Sequence, residues 1–382
     1  MKKYIIVFII LIFILTSCTN TATTKNTLDK SFEEIIKESK NTEVNFYYWG
    51  GSNAINKYFN NFISPNLKEK YQITFNPIPV SNINNIVNKV FSEKQAGKKN
   101  GSVDIIWING ENFKKMKENN LLLGNLTDKL PNFKKYIKNN PLDFNEKTNG
   151  LEVPFGKAQF VFVYDTKRVN KEINTLDDLT KWIKNNPKRF TYPSPPDFTG
   201  SAFIRHFYYG ENAKKLDGLK EINQYLWREG KTYPNSSGAL DKLYSQGEID
   251  FTMSYTPFHE IQKVRADEFP KSSKTLILKD GTLSNTHFLT IPYNSKNISG
   301  SLVAINYLIS FEAQLEKMKP DVWGDLMVLK NEYLNVDQKE KVNSLINKYN
   351  LNLKKFENSR LDEFSGDKIE EIEKDWQEKI LE

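Results

Sequence analysis

The chain has 382 residues but only one cysteine and three histidines. One thiol excludes any intramolecular disulfide. Stability must therefore come from a buried core, and the length suits one or two domains of roughly 100–200 residues each. His206, His259 and His287 stand far apart in sequence. His259-Glu260 starts like H-E-x-x-H, but Lys263 fills the second histidine position and the pattern fails. A metal carrier would need several His, Tyr or carboxylate ligands converging, and the adjacent Tyr208 and Tyr209 would point apart on a helix. No metal and no cofactor is expected. The chain also lacks the G-x-x-x-x-G-K-S/T and G-x-G-x-x-G loops and the G-x-S-x-G elbow. Nucleotide hydrolysis, dinucleotide binding and serine hydrolysis are thus without their motifs. Acids at distant positions would still suit a surface carbohydrate-active enzyme. No basic stripe is present: the formal charge of +7 includes Lys2 and Lys3, and the rest is interspersed with acids. Nucleic-acid binders gather base on one face, so no nucleic-acid partner is expected.

One long apolar run exists, from Tyr4 to Leu15, after Met1-Lys2-Lys3 and before Thr16-Ser17. A basic start, a short apolar stretch and small residues read as a signal peptide over residues 1–17. The run falls short of the roughly 20 residues of a spanning helix. Leu15-Thr16-Ser17-Cys18 resembles a bacterial lipobox, whose cysteine is lipidated. Cys18 would then hold the chain on a membrane surface outside the cytoplasm, with residues 18–40 as a tether.

From there strand-like and helix-like patterns alternate. Val44–Trp49, Tyr71–Phe75 and Val103–Ile108 read as strands, with amphipathic helices after each. Ile105-Ile106-Trp107-Ile108 is apolar throughout, as in a strand buried on both faces. A second cycle opens with Phe160–Asp165, a capping box at Thr175-Leu176-Asp177-Asp178, a short strand Arg189–Tyr192, and strands at 249–255, 274–278 and 287–291. The remainder to Glu382 is charged and helical. This order predicts an α/β chain with a mostly parallel sheet, split into two lobes with a helical tail.

Ligands of open α/β sheets sit at the carboxyl ends of strands. Four loops there are chemically distinctive: Tyr48-Trp49-Gly50-Gly51-Ser52, Trp107 to Glu111 with Asn109 between, Pro193 to Ser201 with Asp197-Phe198-Thr199 at its centre, and Ser254-Tyr255-Thr256-Pro257. Tyr48, Trp49, Trp107, Phe198 and Tyr255 could form an aromatic wall, which stabilises an organic cation by roughly 0.5–2 kcal/mol per contact; each could equally be core. Glu111 and Asp197 are the candidate carboxylates, with helix capping as the competing role. Gly50-Gly51-Ser52 and Thr199-Gly200-Ser201 precede helices and could offer backbone N–H groups to an anion. Gln159 is a candidate hydrogen-bonding group.

Asp104–Phe113, Val153–Gln159 and Ile173–Leu179 resemble the periplasmic-binding-protein-like, type II substrate-binding lipoproteins of ABC importers. Ile173 and Leu176 depart from the usual proline and tryptophan of the last stretch. Trp107-Ile108-Asn109-Gly110-Glu111-Asn112-Phe113 is most similar to the YnjB-like solute-binding components, described as thiamine carriers. The resemblance implies two lobes closing through hinge strands on a small-molecule ligand, then docking on an ABC importer permease. On that basis lobe one is 41–158 plus 286–382 and lobe two 159–285, with hinges at Ala158–Val163 and Thr286–Pro292. A monomer carrying thiamine or a related organic cation is expected, with an anion or metal carrier as the alternative.

Overall fold

The computed structural model describes residues 27–139, 141–210 and 213–381; Cys18 and the leader lie outside the described residues. Nine strands are assigned among the described residues: β1 (Glu43–Trp49), β2 (Thr74–Val80), β3 (Ile105–Ile108), β4 (Val153–Gln159), β5 (Val161–Asp165), β6 (Phe251–Ser254), β7 (Ser273–Leu276), β8 (Thr282–Thr290) and β9 (Arg360–Asp362). Lobe one carries the sheet β2-β1-β3-β8-β4, with β9 beside β8, and lobe two the sheet β6-β5-β7. β2, β1 and β3 run parallel. β8 enters antiparallel to both β3 and β4, and every pair in lobe two is antiparallel. The expected mostly parallel sheet thus holds only across β2-β1-β3 and between β8 and β9. Apolar period fixes strand type; it carries no information on the direction of a neighbour.

In β1 the inward residues Val44, Phe46 and Tyr48 alternate with more exposed ones, as a half-buried strand requires. Phe46 stacks on Tyr48 and Phe75 and meets Phe59 edge-on at 4.9 Å. Those rings and the Ile298–Leu308 helix form the core of lobe one. A separate core in lobe two gathers Phe162, Phe190, Phe203, Phe251 and Trp182. A third cluster, with Val161, Phe258, Met318 and Phe356, joins the lobes behind the hinge.

Four expectations are corrected. Residues 31–40 are no tether: Ser31 forms a capping box on the helix Phe32–Ser39, and Ile35 is fully buried in the lobe-one core. Tyr71 closes the helix Ser64–Tyr71, Gln72 turns left-handed at φ 58°, and the strand starts only at Thr74. The segment 286–382 does not all belong to lobe one. Ile372 and Trp376 of the helix Gly366–Trp376 lie in the lobe-two core, and Trp376 Nε1 donates to Tyr192 Oη at 2.9 Å. Finally, Thr286–Thr290 lie inside sheet one, paired with β3 and β4, so they are no hinge. The first two crossings fall at Phe160, whose N–H donates to Leu283 O of β8 at 2.8 Å, and at the turn before β8.

Candidate functional site

The strand-end loops of lobe one come first. Because β1 alternates, Tyr48 and Trp49 face opposite ways. Tyr48 is fully buried, stacks in the core and donates to Asn56 Oδ1 at 2.9 Å; burial pushes its hydroxyl up to about 12. It is a core residue and cannot reach a solute. Trp49 is 46% exposed, and its indole lies over Gly51, where a Cβ would come within 2.2 Å of the ring. Gly50 is tied down, donating to Val80 O and accepting from Asn56 Nδ2. Ser52 precedes the helical stretch Asn53–Tyr71 without capping it by its side chain. Asn109, before the helix Gly110–Glu118, makes no cap bond either. Both side chains therefore remain uncommitted.

Gly110, at φ +57°, has the ring of Phe144 against it, a backbone conformation that glycine adopts cheaply. Its N–H donates to Asp143 Oδ2 at 2.7 Å, which fixes the loop. Burial pushes Asp143 up to about 8. Glu111 follows, in the first helical turn. Although it keeps much of its own surface, its carboxyl is held above the ordinary range by burial and then by Glu370 of the tail helix. Trp107 is 9% exposed and packs against His287 at 4.9 Å and Trp323 at 5.4 Å. It is a core indole, filling lobe one rather than lining a wall. Behind it His287 Nε2 meets Asp325 Oδ1 at 3.0 Å, and Lys317 Nζ, fully buried, bonds Asp325 and Phe155 O.

In lobe two Asp197 is committed as a cap. It accepts from Thr199 N and Gly200 N at 3.0 and 2.9 Å at the start of the helix Phe198–His206, and from Ser237 N of the helix Ser237–Ser245. Its carboxylate is satisfied by four donors counting the Ser237 hydroxyl, so the capping role prevails over ligand contact. Thr199 is buried. Gly200 has Pro193 O within 1.8 Å of where a Cβ would stand, so bulk there would break packing rather than report on an anion. Phe198, in contrast, is 43% exposed, 4.9 Å from Tyr255.

Sequence reasoning missed what holds that ring pair. Arg205, fully buried, forks onto Glu363 at 3.1 and 2.9 Å and lies 5.7 Å from the Phe198 ring. Tyr255 Oη also donates to Glu363, and burial and that carboxylate push the phenol well up. Glu363 belongs to the tail, 158 positions from Arg205, so no local pattern could have found it. A cleft of about 450 Å³ opens between Asn145 of lobe one and Tyr209, Glu363, Phe364 and Lys368. None of the residues expected from sequence lines it.

Gln159 is buried at the crossing and donates to Thr282 Oγ1 and Ser359 O; its Oε1 has no partner. The expected residues therefore fall into separate groups. Trp49 with Gly51, and Phe198 with Tyr255, are brought together; Gln159 stands at the hinge, and Glu111 meets the tail.

A family model for bacterial extracellular solute-binding proteins matches residues 63–344. Protein YnjB of Escherichia coli (strain K12) is 34% identical over 335 residues, 82% of this chain and 86% of that protein. Among solved structures, an ABC transporter structure from Clostridium perfringens ATCC 13124 superposes with a TM-score of 0.61 at 18% identity, covering 89% of this chain and 100% of that one. A periplasmic thiamin binding protein does so with a TM-score of 0.60 at 15% identity, covering 89% and 96%. The two structures establish the two-lobed fold. The family match and the YnjB relationship establish membership: this chain belongs to the bacterial extracellular solute-binding proteins, a family of binders and not of enzymes.

Proposed function

We propose that this chain captures thiamine or a closely related organic cation between its lobes, from a lipid anchor at Cys18. The observation that carries this reading is a pair of exposed aromatics, one on each lobe: Trp49 at the end of β1 and Phe198 in the first turn of its helix. Indole and phenyl faces attract a desolvated organic cation. Glu111, partly desolvated, supplies a carboxylate, and the uncommitted Ser52 and Asn109 side chains supply hydrogen bonds. The likeness to the thiamin binding protein supports the same ligand class. The lipobox-like Leu15-Thr16-Ser17-Cys18 supports the anchor, and a monomer suffices for capture.

One observation favours a second reading. Lys157 forms no salt bridge among the described residues, and burial together with Arg360 outweighs the pull of Glu357 and pushes its amine down to about 8, which suits a solute with an anionic group. Calorimetric titration of the chain from residue 19 onward tests both, with thiamine and with inorganic phosphate. Stoichiometric thiamine binding that Trp49→Ala or Phe198→Ala weakens at least tenfold supports the cation reading. Phosphate binding without thiamine binding overturns it. The anchor is tested by intact-mass analysis of the membrane fraction, where an unmodified Cys18 would refute lipidation.

A further inference from the structure

The charged tail was expected to add helix to lobe one; instead it joins both lobes. β9 lies beside β8. Glu363 pairs with the buried Arg205, Ser201 donates to Glu373, and Trp376 donates to Tyr192, so the segment is fastened to lobe two. Yet the first turn of the Gly366–Trp376 helix meets the Gly110–Glu118 helix of lobe one. Lys114 Nζ reaches both carboxylate oxygens of Asp367, at 2.9 and 2.8 Å. Gly366 sits against Glu111, with a Cβ there only 3.1 Å from Glu111 Cβ. The Gly110–Glu118 helix starts at the end of β3, in the loop that carries Asn109 and Glu111.

We propose that the C-terminal segment Glu363–Trp376 is an interlobe latch, anchored on lobe two through Glu363, Glu373 and Trp376, in which the first turn of the Gly366–Trp376 helix engages the Gly110–Glu118 helix and thereby sets the balance between joined and parted lobes. The Lys114–Asp367 pair favours engagement. The carboxyls of Glu111 and Glu370 oppose it when both are ionised, since like charges in contact repel. The other charges facing this contact are Lys115, Glu118 and Glu146, and Glu146 is itself paired with Lys117. In the engaged state burial, and then the neighbouring Glu370, raise the proton affinity of Glu111. The engaged state therefore binds the proton more tightly, and engagement strengthens as pH falls through the carboxylate range.

The test needs no ligand, so its failure and the failure of the thiamine reading are separate outcomes. Spin labels at the exposed positions N60C and K181C, in the chain from residue 19 onward, read the distance between lobes. Lys114→Glu and Asp367→Lys should each shift the joined-to-parted ratio about two- to fivefold toward parted, as a surface ion pair allows. The double reversal should restore the parent distribution. Unchanged distances in the single variants, or no restoration in the double, overturn the latch. Lowering pH from 7 to 5 should move the parent toward joined lobes, and Glu370→Gln should blunt that response; an undiminished response in the variant refutes the carboxyl arm.

Discussion

At the scale of the residue, commitment separates core from site. Tyr48 and Trp49 are neighbours of similar chemistry, but one is sealed among Phe46 and Phe59 and the other is half open. The alternation Val44, Phe46, Tyr48 was legible in the sequence, and a strict period of two would have sent Trp49 outward. Asp197 and Glu111 were not separable that way. Both are acids at helix starts, and only the structure shows Asp197 spent on capping its own helix and on Ser237 and Glu111 facing the tail. His206 gives a residue-scale prediction. Its Nδ1 faces Ala202 O at 2.7 Å, and its Nε2 accepts from Leu283 N–H at 3.0 Å, so the neutral ring is required. Burial drives its pKa down to about 4 from 6.5. The unfolded chain then takes up the proton first. The stability given by the neutral ring is present above pH 6.5 and lost as pH falls toward 4, on the order of 3 kcal/mol. Urea midpoints measured at pH 7 and 4.5 should show this loss, and His206→Gln should lower stability at pH 7 while flattening the further drop.

At the scale of the element, what sequence revealed was local. The Thr175 capping box, with Asp178 as its return partner, stands as the spacing predicts, because a cap is written within four residues. Helix and strand types followed from apolar period for the same reason, except at Arg189–Tyr192, where the expected strand does not form. The tail misled because its outer face is crowded with charge, which hides the Ile372 and Trp376 stripe. That stripe now closes lobe two against Tyr192 and Tyr233. Trp376→Ala should cost about 3–5 kcal/mol, typical of a large buried aromatic. The loss should appear in thermal unfolding, together with faster hydrogen exchange in lobe two; unchanged exchange there would assign the tail to another partner.

At the scale of the whole molecule, two cores are joined by three chain crossings, at Phe160, before β8 and after β9, and by one apolar cluster behind the first two. Phe258 of lobe two meets Phe356 edge-on at 5.5 Å and closes over Gly324. These contacts lie outside both main cores. Phe258→Ala should therefore lower the melting temperature and also broaden the angle between the lobes, read as a larger radius of gyration in solution scattering. A variant that melts earlier with unchanged dimensions would show the cluster to be simple filling. The front of the molecule is governed differently, by the exposed charges of the tail contact, so the two faces should respond to salt in opposite degree.

The sequence by itself determined the extracytoplasmic solute-binding family, through the runs around Trp107 and Thr175, and most of the helices and strands, through signals a few residues long. Strand direction, the placement of the tail and the fate of each aromatic were decided only in three dimensions. Arg205 and Glu363 meet across 158 positions, and Lys114 and Asp367 across 253. Such pairs depend on how whole lobes come to rest against each other, a balance of burial and desolvation that no short stretch of chain encodes.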